Sequence, residues 1–362
     1  MHELKMIAHV EALYIELLNR RADPGGLQNW TAVAAREGLE RVRSGIMASE
    51  EYQAKSSDNF SGYSNSDVAL MKKYLNSAAE SSPGFIVDFL GGRTRTSSLG
   101  DDVQHLNGKV LGIPVPGYHH AGAGEWAGML KSVETAAVQY TAMELGAGWG
   151  PWIVAGALAA RRRGLREVRL YAVEADDVHF AALQMHLRDN GLDPAEHTLI
   201  HAAVGTVAGK AVWPVSSDSR NDWGQRPMPP VGNVGPCRTD YRGQAVNRTV
   251  TIDVVSAASL LRREPMWDLL HIDIQGHELE VCSFAIEELN DRVRWLIVGT
   301  HSRKIDGDLM ELMFESGWLL ENEKPAKVLF RKDAPVLEAM TITDGIQVWK
   351  NPRLVNASGS EP

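Results

Sequence analysis

Residues 140–164 read YTAMELGAGWGPWIVAGALAARRRG: an apolar run, an acid, three glycines at alternate positions, then an alanine-rich segment ending in arginines. The run has strand length and the segment after Pro151 has helix composition, so the glycines mark a tight strand-to-helix turn. A strand without polar alternation is covered on both faces, which belongs to parallel sheets flanked by helices. Glycines at the turn let a ligand lie against bare backbone at a helix N-terminus. This stretch therefore commits the chain to an α/β fold with a binding crevice at the end of its first strand.

The rest of the sequence repeats the alternation. Strands are expected at "AMELG", "RLYAVE" (169–174), "TLIHAAVG" (198–205), "DLLHIDI" (268–274), "VRWLIVGT" (293–300), "GWLLEN" (317–322) and "GIQVWK" (345–350), with helices in most gaps. Seven strands ending this way suit a doubly wound sheet whose last strand is antiparallel. The segment 208–250 interrupts the pattern with a long, polar, Pro- and Gly-rich stretch; loops of that length inside a domain are usually functional or mobile. Upstream, residues 1–56 read as a small helical module, with Val10, Leu13, Tyr14, Leu17 and Leu18 at helical spacing. Residues 57–120 read as linker and cap, 121–352 as the catalytic α/β domain and 353–362 as a flexible tail.

The spacing of the glycines discriminates between ligands. A nicotinamide dinucleotide turn is G-x-G-x-x-G, and here the third position is Pro151. An alternating turn preceded by Glu144 suits S-adenosyl-L-methionine, whose methionine end is zwitterionic and which has no pyrophosphate to seat. Gly146, Ala147, Gly148 and Trp149 would approach the methionine portion. Glu174, ending the second strand, would accept hydrogen bonds from both ribose hydroxyls, with Ala175 beside it. Ala203 and Val204 would lie against the adenine.

With these pieces assembled, "ELGAGWGPW", "VEADDVHFAALQMHLRDNGL", "IHAAVG", "DVVSAASLL" and "WDLLHIDIQGHELEVC" resemble the FkbM family of S-adenosylmethionine-dependent methyltransferases, over residues 140–322. "DIQGHELEV" is the most specific of these motifs. The resemblance implies a Rossmann-like, class I methyltransferase fold and O-methylation of sugar or polyketide hydroxyls. Thr300 departs from the pattern, since many relatives carry an acid before the following His. At the N-terminus, "LYIELLNRRADPGGLQNW" and "IMASEEY" resemble a helical domain of unknown function related to phycobilisome linkers. That likeness implies packing, partner binding or self-association rather than chemistry.

Methyl transfer to a hydroxyl needs an in-line oxygen and a route for its proton. At the carboxyl edge of the sheet, His301 is the first choice for a base, because an imidazole titrates near neutral pH. Asp273 would orient it, bind substrate or hold a cation, and Gly276 would permit the turn that presents it. Asp273, Glu278 and His301 form an oxygen-rich set able to take a divalent ion, although no spacing demands one and a metal is not predicted. Glu278 also fits a plainer part, satisfying free N–H groups at a helix start. His119, His120 and Glu134 are read as a lid. In the insert, Asn221, Asp222, Trp223, Gln225 and Arg226, with His277 after the fourth strand, are expected to hold a saccharide by ring stacking and polar contacts.

A net charge of −9 with scattered basic residues argues against a nucleic-acid substrate. No apolar run reaches the roughly 18 residues of a membrane span, the N-terminus has no signal-peptide pattern, and two widely separated cysteines fit a reducing cytoplasm. The expected partner is a small molecule or saccharide. The other readings are a degenerate, non-catalytic scaffold and a methyltransferase for a non-sugar small molecule.

Overall fold

A computed structural model describes residues 2–18, 20–49, 51–52, 62–228 and 238–355, and divides the chain into two compact units at Ser66 and Asp67. Part of the expected linker, the centre of the 208–250 insert and nearly all of the expected tail lie outside the described residues. The first unit holds helices α1 (His2–Leu18), α2 (Pro24–Glu37) and α3 (Leu39–Met47). Asp23 starts α2 by accepting from the Gly26 N–H at 2.8 Å, and Pro24 at the first helical position loses no intrahelical bond. Val10, Leu13, Tyr14, Leu18, Ala34, Val42 and Ile46 bury the shared core.

The second unit begins within α4 (Asn65–Tyr74) and includes residues 67–120, most of the stretch 57–120 expected as linker and cap. Its centre is a seven-stranded sheet: β1 (Tyr140–Leu145), β2 (Val168–Glu174), β3 (Thr198–His201), β4 (Trp267–Ile272), β5 (Val293–Thr300), β6 (Leu319–Lys324) and β7 (Gly345–Lys350). The spatial order is β6-β7-β5-β4-β1-β2-β3, and only β7 runs antiparallel to its neighbours. This is the Rossmann-like class I methyltransferase arrangement. The order reverses at β1, so the crevice opens beyond the carboxyl ends of β1, β2 and β4.

The flanking helices include α5 (Ala123–Thr135), α6 (Pro151–Arg163), α7 (Asp177–Asp189), α8 (Glu278–Phe284) and α9 (Arg303–Glu315). Every residue of β1 and β4 is buried, as befits central strands covered on both faces, Glu144, Asp268 and His271 included. The expected strand 198–205 divides. β3 stays in the main sheet, whereas Ala203–Gly205 crosses to a second, three-stranded sheet with Thr249–Ser256 and Gly209–Pro214. The start of the insert is therefore strand rather than loop.

The glycine turn is fastened to both neighbouring strands. Gly146 and Ala147 N–H groups donate to the Val173 carbonyl at 3.0 and 2.9 Å, and the Asp273 N–H donates to the Leu145 carbonyl at 2.9 Å. Gly146 has φ +75°, and a Cβ there would lie 1.8 Å from the Asp273 carbonyl oxygen. Both obstacles are backbone and neither yields. At Gly148 (φ +56°) a Cβ would meet only the Trp223 ring, at 3.4 Å. Gly146→Ala is therefore expected to cost upward of about 3 kcal/mol of stability and Gly148→Ala about 1 kcal/mol, measured by urea unfolding. Equal losses would contradict the assigned fit.

Candidate active site

A cleft of about 490 Å³ lies over the carboxyl ends of the strands, a size suited to a small-molecule ligand. Glu144, Gly146, Ala147, Gly148, Trp149, Glu174, Ala175, Ala203 and Val204, the nine residues expected to hold the cofactor, all line it. The Glu174 carboxylate is tightly bonded. Oε1 accepts from the Ala175 and Asp176 N–H groups at 2.8 and 2.7 Å, and Oε2 accepts from Gly148 N–H at 2.7 Å. A carboxylate offers about four lone-pair sites, so one remains on Oε2. That leaves room for one ligand hydroxyl, where the sequence reading had expected two.

Glu144 is buried beneath the turn, and its Oε2 accepts from the Ile153 N–H at 3.2 Å, in the first turn of α6. Burial pushes the Glu144 carboxyl well above its ordinary range, against the pull of the Ile153 and Trp152 N–H groups. Burial also raises Glu174, against His179 and its own N–H partners.

Across the cleft, Asp273 follows β4 and reaches the wall. Its presentation is enforced by the turn that follows. Gln275 has φ +57°, the single positive φ outside glycine among the described residues, and Gly276 follows at +101°. The Gln275 amide donates to Asp273 Oδ1 at 3.1 Å and accepts from Tyr241 OH at 3.2 Å, so a strained turn clamps the carboxylate. Glu278 takes the plainer part: its Oε1 accepts from the Ile274 and Gly276 N–H groups, both at 3.0 Å.

His301 requires a correction. It is only 3% exposed and does not line the cleft, standing instead behind Asp273. Its Nδ1 is 2.9 Å from Glu278 Oε1, and its Nε2 is 3.3 Å from Asp273 Oδ1 and 3.7 Å from Asp344 Oδ1. Burial would lower its pKa, but the charges of Glu278 and Asp273 override this and hold the imidazolium well above its ordinary value. A ring charged at neutral pH has no lone pair to take a proton. Conversely, His301 holds Asp273 below the usual carboxylate range, against the effect of burial. Asp273, Glu278 and His301 do cluster closely enough for a cation. However, the two ring nitrogens face different carboxylates, so the imidazolium itself supplies the positive charge between them.

The insert closes one side. Trp223 lines the cleft, stacked on His179 at 3.9 Å and packed edge-on against Trp149 at 4.8 Å. His179 Nε2 donates to the Ser219 carbonyl at 2.7 Å, and Ser219 Oγ donates to Asp176 at 3.0 Å, tying the insert to the tip of β2. Asn221 lines the cleft, yet its amide oxygen accepts from Asp101 N–H and its nitrogen donates to Asp218. Asp222 is turned to Arg242 at 2.7 Å and is absent from the lining, so it braces the loop instead of meeting substrate. Arg226 lies over the Tyr241 ring at 3.9 Å, and His277 stands at the mouth. Glu134 is no part of a lid: it bonds Lys73 and Tyr74 and lies off the cleft wall.

Several lining residues had escaped the sequence reading. His271, beside Glu144 in the β4–β1 register, lies 4.0 Å from Glu144 and 3.9 Å from Glu125, and neither ring nitrogen has a hydrogen-bond partner. A lone His inside "DLLHIDI" was the available hint. Asp344, half-exposed before β7, is pushed up to about 6 by desolvation and by Asp273, Glu125 and Glu278, against the pull of His301. Gln225, by contrast, was among the insert residues expected to meet a saccharide, and it lines the cleft with a buried, unpartnered amide oxygen.

Over 286 residues, covering 78% of this chain and 98% of the other, the sequence is 30% identical to a protein of Jannaschia sp. (strain CCS1) named "Putative methyltransferase". The chain belongs to this methyltransferase family. No family model matches it. Similar solved structures include precorrin-6y C5,15-methyltransferase from Geobacter metallireducens GS-15 (11% identity, 66% of this chain and 96% of that one, TM-score 0.35). An rRNA methylase from Streptococcus thermophilus is 10% identical over 60% of this chain and 90% of its own, with a TM-score of 0.31. At such scores neither bears on the substrate of this methyltransferase. No helix among the described residues is long and apolar enough to cross a membrane.

Proposed function

We propose that this methyltransferase is of the FkbM type and uses S-adenosyl-L-methionine to methylate a hydroxyl of a saccharide or glycosylated metabolite. The observation that carries the reading is one cleft with a buried carboxylate on each side of an alternating-glycine turn and a clamped carboxylate opposite. The residues fit the cofactor. Glu174 keeps one free lone pair, Gly148 bares its backbone, and Glu144 lies where an ammonium group would draw it into the charged form. When bound, S-adenosylmethionine supplies a methyl group on a positively charged sulfur.

The chain's own residues do the rest. Asp273, kept ionised by the buried imidazolium, takes the acceptor's hydroxyl proton as that oxygen becomes the nucleophile. Gln275 and Tyr241 hold the carboxylate in place, and Trp223 excludes water on the insert side. For a saccharide, Gln225, Arg226 and His277 offer polar groups at the mouth and Trp223 an apolar face. Incubation with methyl-labelled cofactor and host extract, followed by mass spectrometry, tests the reading: a methylated sugar hydroxyl supports it, and label confined to nitrogen or carbon overturns it.

His301→Gln separates two chemistries. Wild-type Asp273 is depressed by the His301 charge, so removing the cation raises its pKa and less of it is ionised at a given acidic pH. The acid limb of kcat/KM should therefore move to higher pH and persist. Were His301 the base, that limb would vanish.

A further inference from the structure

Beyond β6 the chain forms a two-stranded antiparallel ribbon, Lys327–Val328 against Thr341–Thr343. Every residue from Lys327 to Asp333 is exposed. Among them Leu329 is 58% and Phe330 78% exposed, and Ile342 on the facing strand is 65% exposed. Val328, Val336 and Leu337 are exposed as well, so six large apolar side chains lie exposed between Val328 and Ile342, and such grouping marks an interaction site where single exposed residues do not. Their neighbours give the partner's chemistry. Val328, Leu329 and Phe330 are bracketed by Lys327 on one side and by Arg331 and Lys332 on the other. Neither Lys327 nor Lys332 has an ion-pair partner among the described residues. The stretch Lys327–Lys332 thus carries three cations and no acid, with Asp333 directly after it and Glu338 further along the loop, in a chain of net charge −9.

We propose that this ribbon docks the protein on an anionic phospholipid surface. Apolar side chains between cations match the boundary of a bilayer, where rings and aliphatic groups enter the acyl edge and lysines reach back to phosphate. A protein partner fits this stretch less well, because lysine is depleted at protein–protein interfaces. The ribbon adjoins the cleft: its second strand ends next to Asp344 on the cleft wall, and Thr341 Oγ1 donates to the His301 carbonyl at 2.6 Å. Docking therefore brings the cleft mouth close to the membrane surface. The inference does not depend on which acceptor is methylated.

The test is co-sedimentation of the full chain with vesicles of equimolar phosphatidylglycerol and phosphatidylcholine, beside vesicles of phosphatidylcholine alone. The anionic vesicles should pellet the protein, less so as salt is raised. Lys327→Glu with Lys332→Glu should weaken binding by more than tenfold, since each cation at an anionic surface contributes roughly fivefold. Leu329→Asp with Phe330→Asp should abolish it. All four positions are exposed, and unchanged thermal unfolding would show that the variants fold. Failure to bind anionic vesicles, or equal binding by both variants, overturns the inference. So does a dimer in light scattering that the Leu329→Asp, Phe330→Asp variant dissolves, because the face would then belong to a second copy.

Discussion

Asp273→Asn is expected to lower kcat by about 10²–10⁴-fold, the range that a positioned general base contributes, while leaving S-adenosylhomocysteine affinity nearly unchanged. The substitution keeps the size of the side chain and its oxygen near the Gln275 amide, 3.1 Å away in the wild type. It removes the lone pair that takes the proton and the charge that faces His301. The cofactor-side residues stand at the tips of β1 and β2, so affinity should survive. Steady-state kinetics and calorimetry on the same preparation read both quantities. Retained turnover would take the base away from Asp273, with Asp344 and His271 the next groups on the wall.

Glu174→Gln should weaken S-adenosylhomocysteine binding by about 10²-fold or more. The carboxylate accepts three backbone N–H groups and keeps one site for a ligand. An amide has a single oxygen, so its NH₂ group must confront at least one N–H donor, and the turn carrying Gly148 loses its anchor. Charge-assisted hydrogen bonds contribute roughly 1.5–3 kcal/mol each, and losing one on the turn and one on the ligand accounts for the factor. Circular dichroism would show whether the fold survives. Near-wild-type binding would mean that Glu174 serves only the backbone.

The centre of the sheet was legible because β1, β4, β5 and β7 are buried on both faces and read as largely apolar runs; β5 and β7 fall where the pattern put them. The division at Ala202 was not, since small residues that fit either sheet carry no periodicity. On the cofactor side, the alternating glycines and two strand-end acids carried enough spacing to place all nine residues on one cleft. The reacting side was harder. Whether a histidine is a base or a buried cation depends on which charges surround it, and His301 is met by Asp273 and Glu278 from the turn after β4 and by Asp344 from the distant approach to β7. For the same reason Asn221 and Asp222 looked free in a polar loop, while Asp101, Asp218 and Arg242 had already engaged them.

Direct calorimetry of the wild-type chain with S-adenosylhomocysteine, alongside a nicotinamide dinucleotide, bears on the pairing of Glu144 and Glu174 around the glycine turn most directly. One saturable site for the sulfur nucleoside and none for the dinucleotide is the predicted result. Silence toward the first compound, or heat from the second, would contradict it.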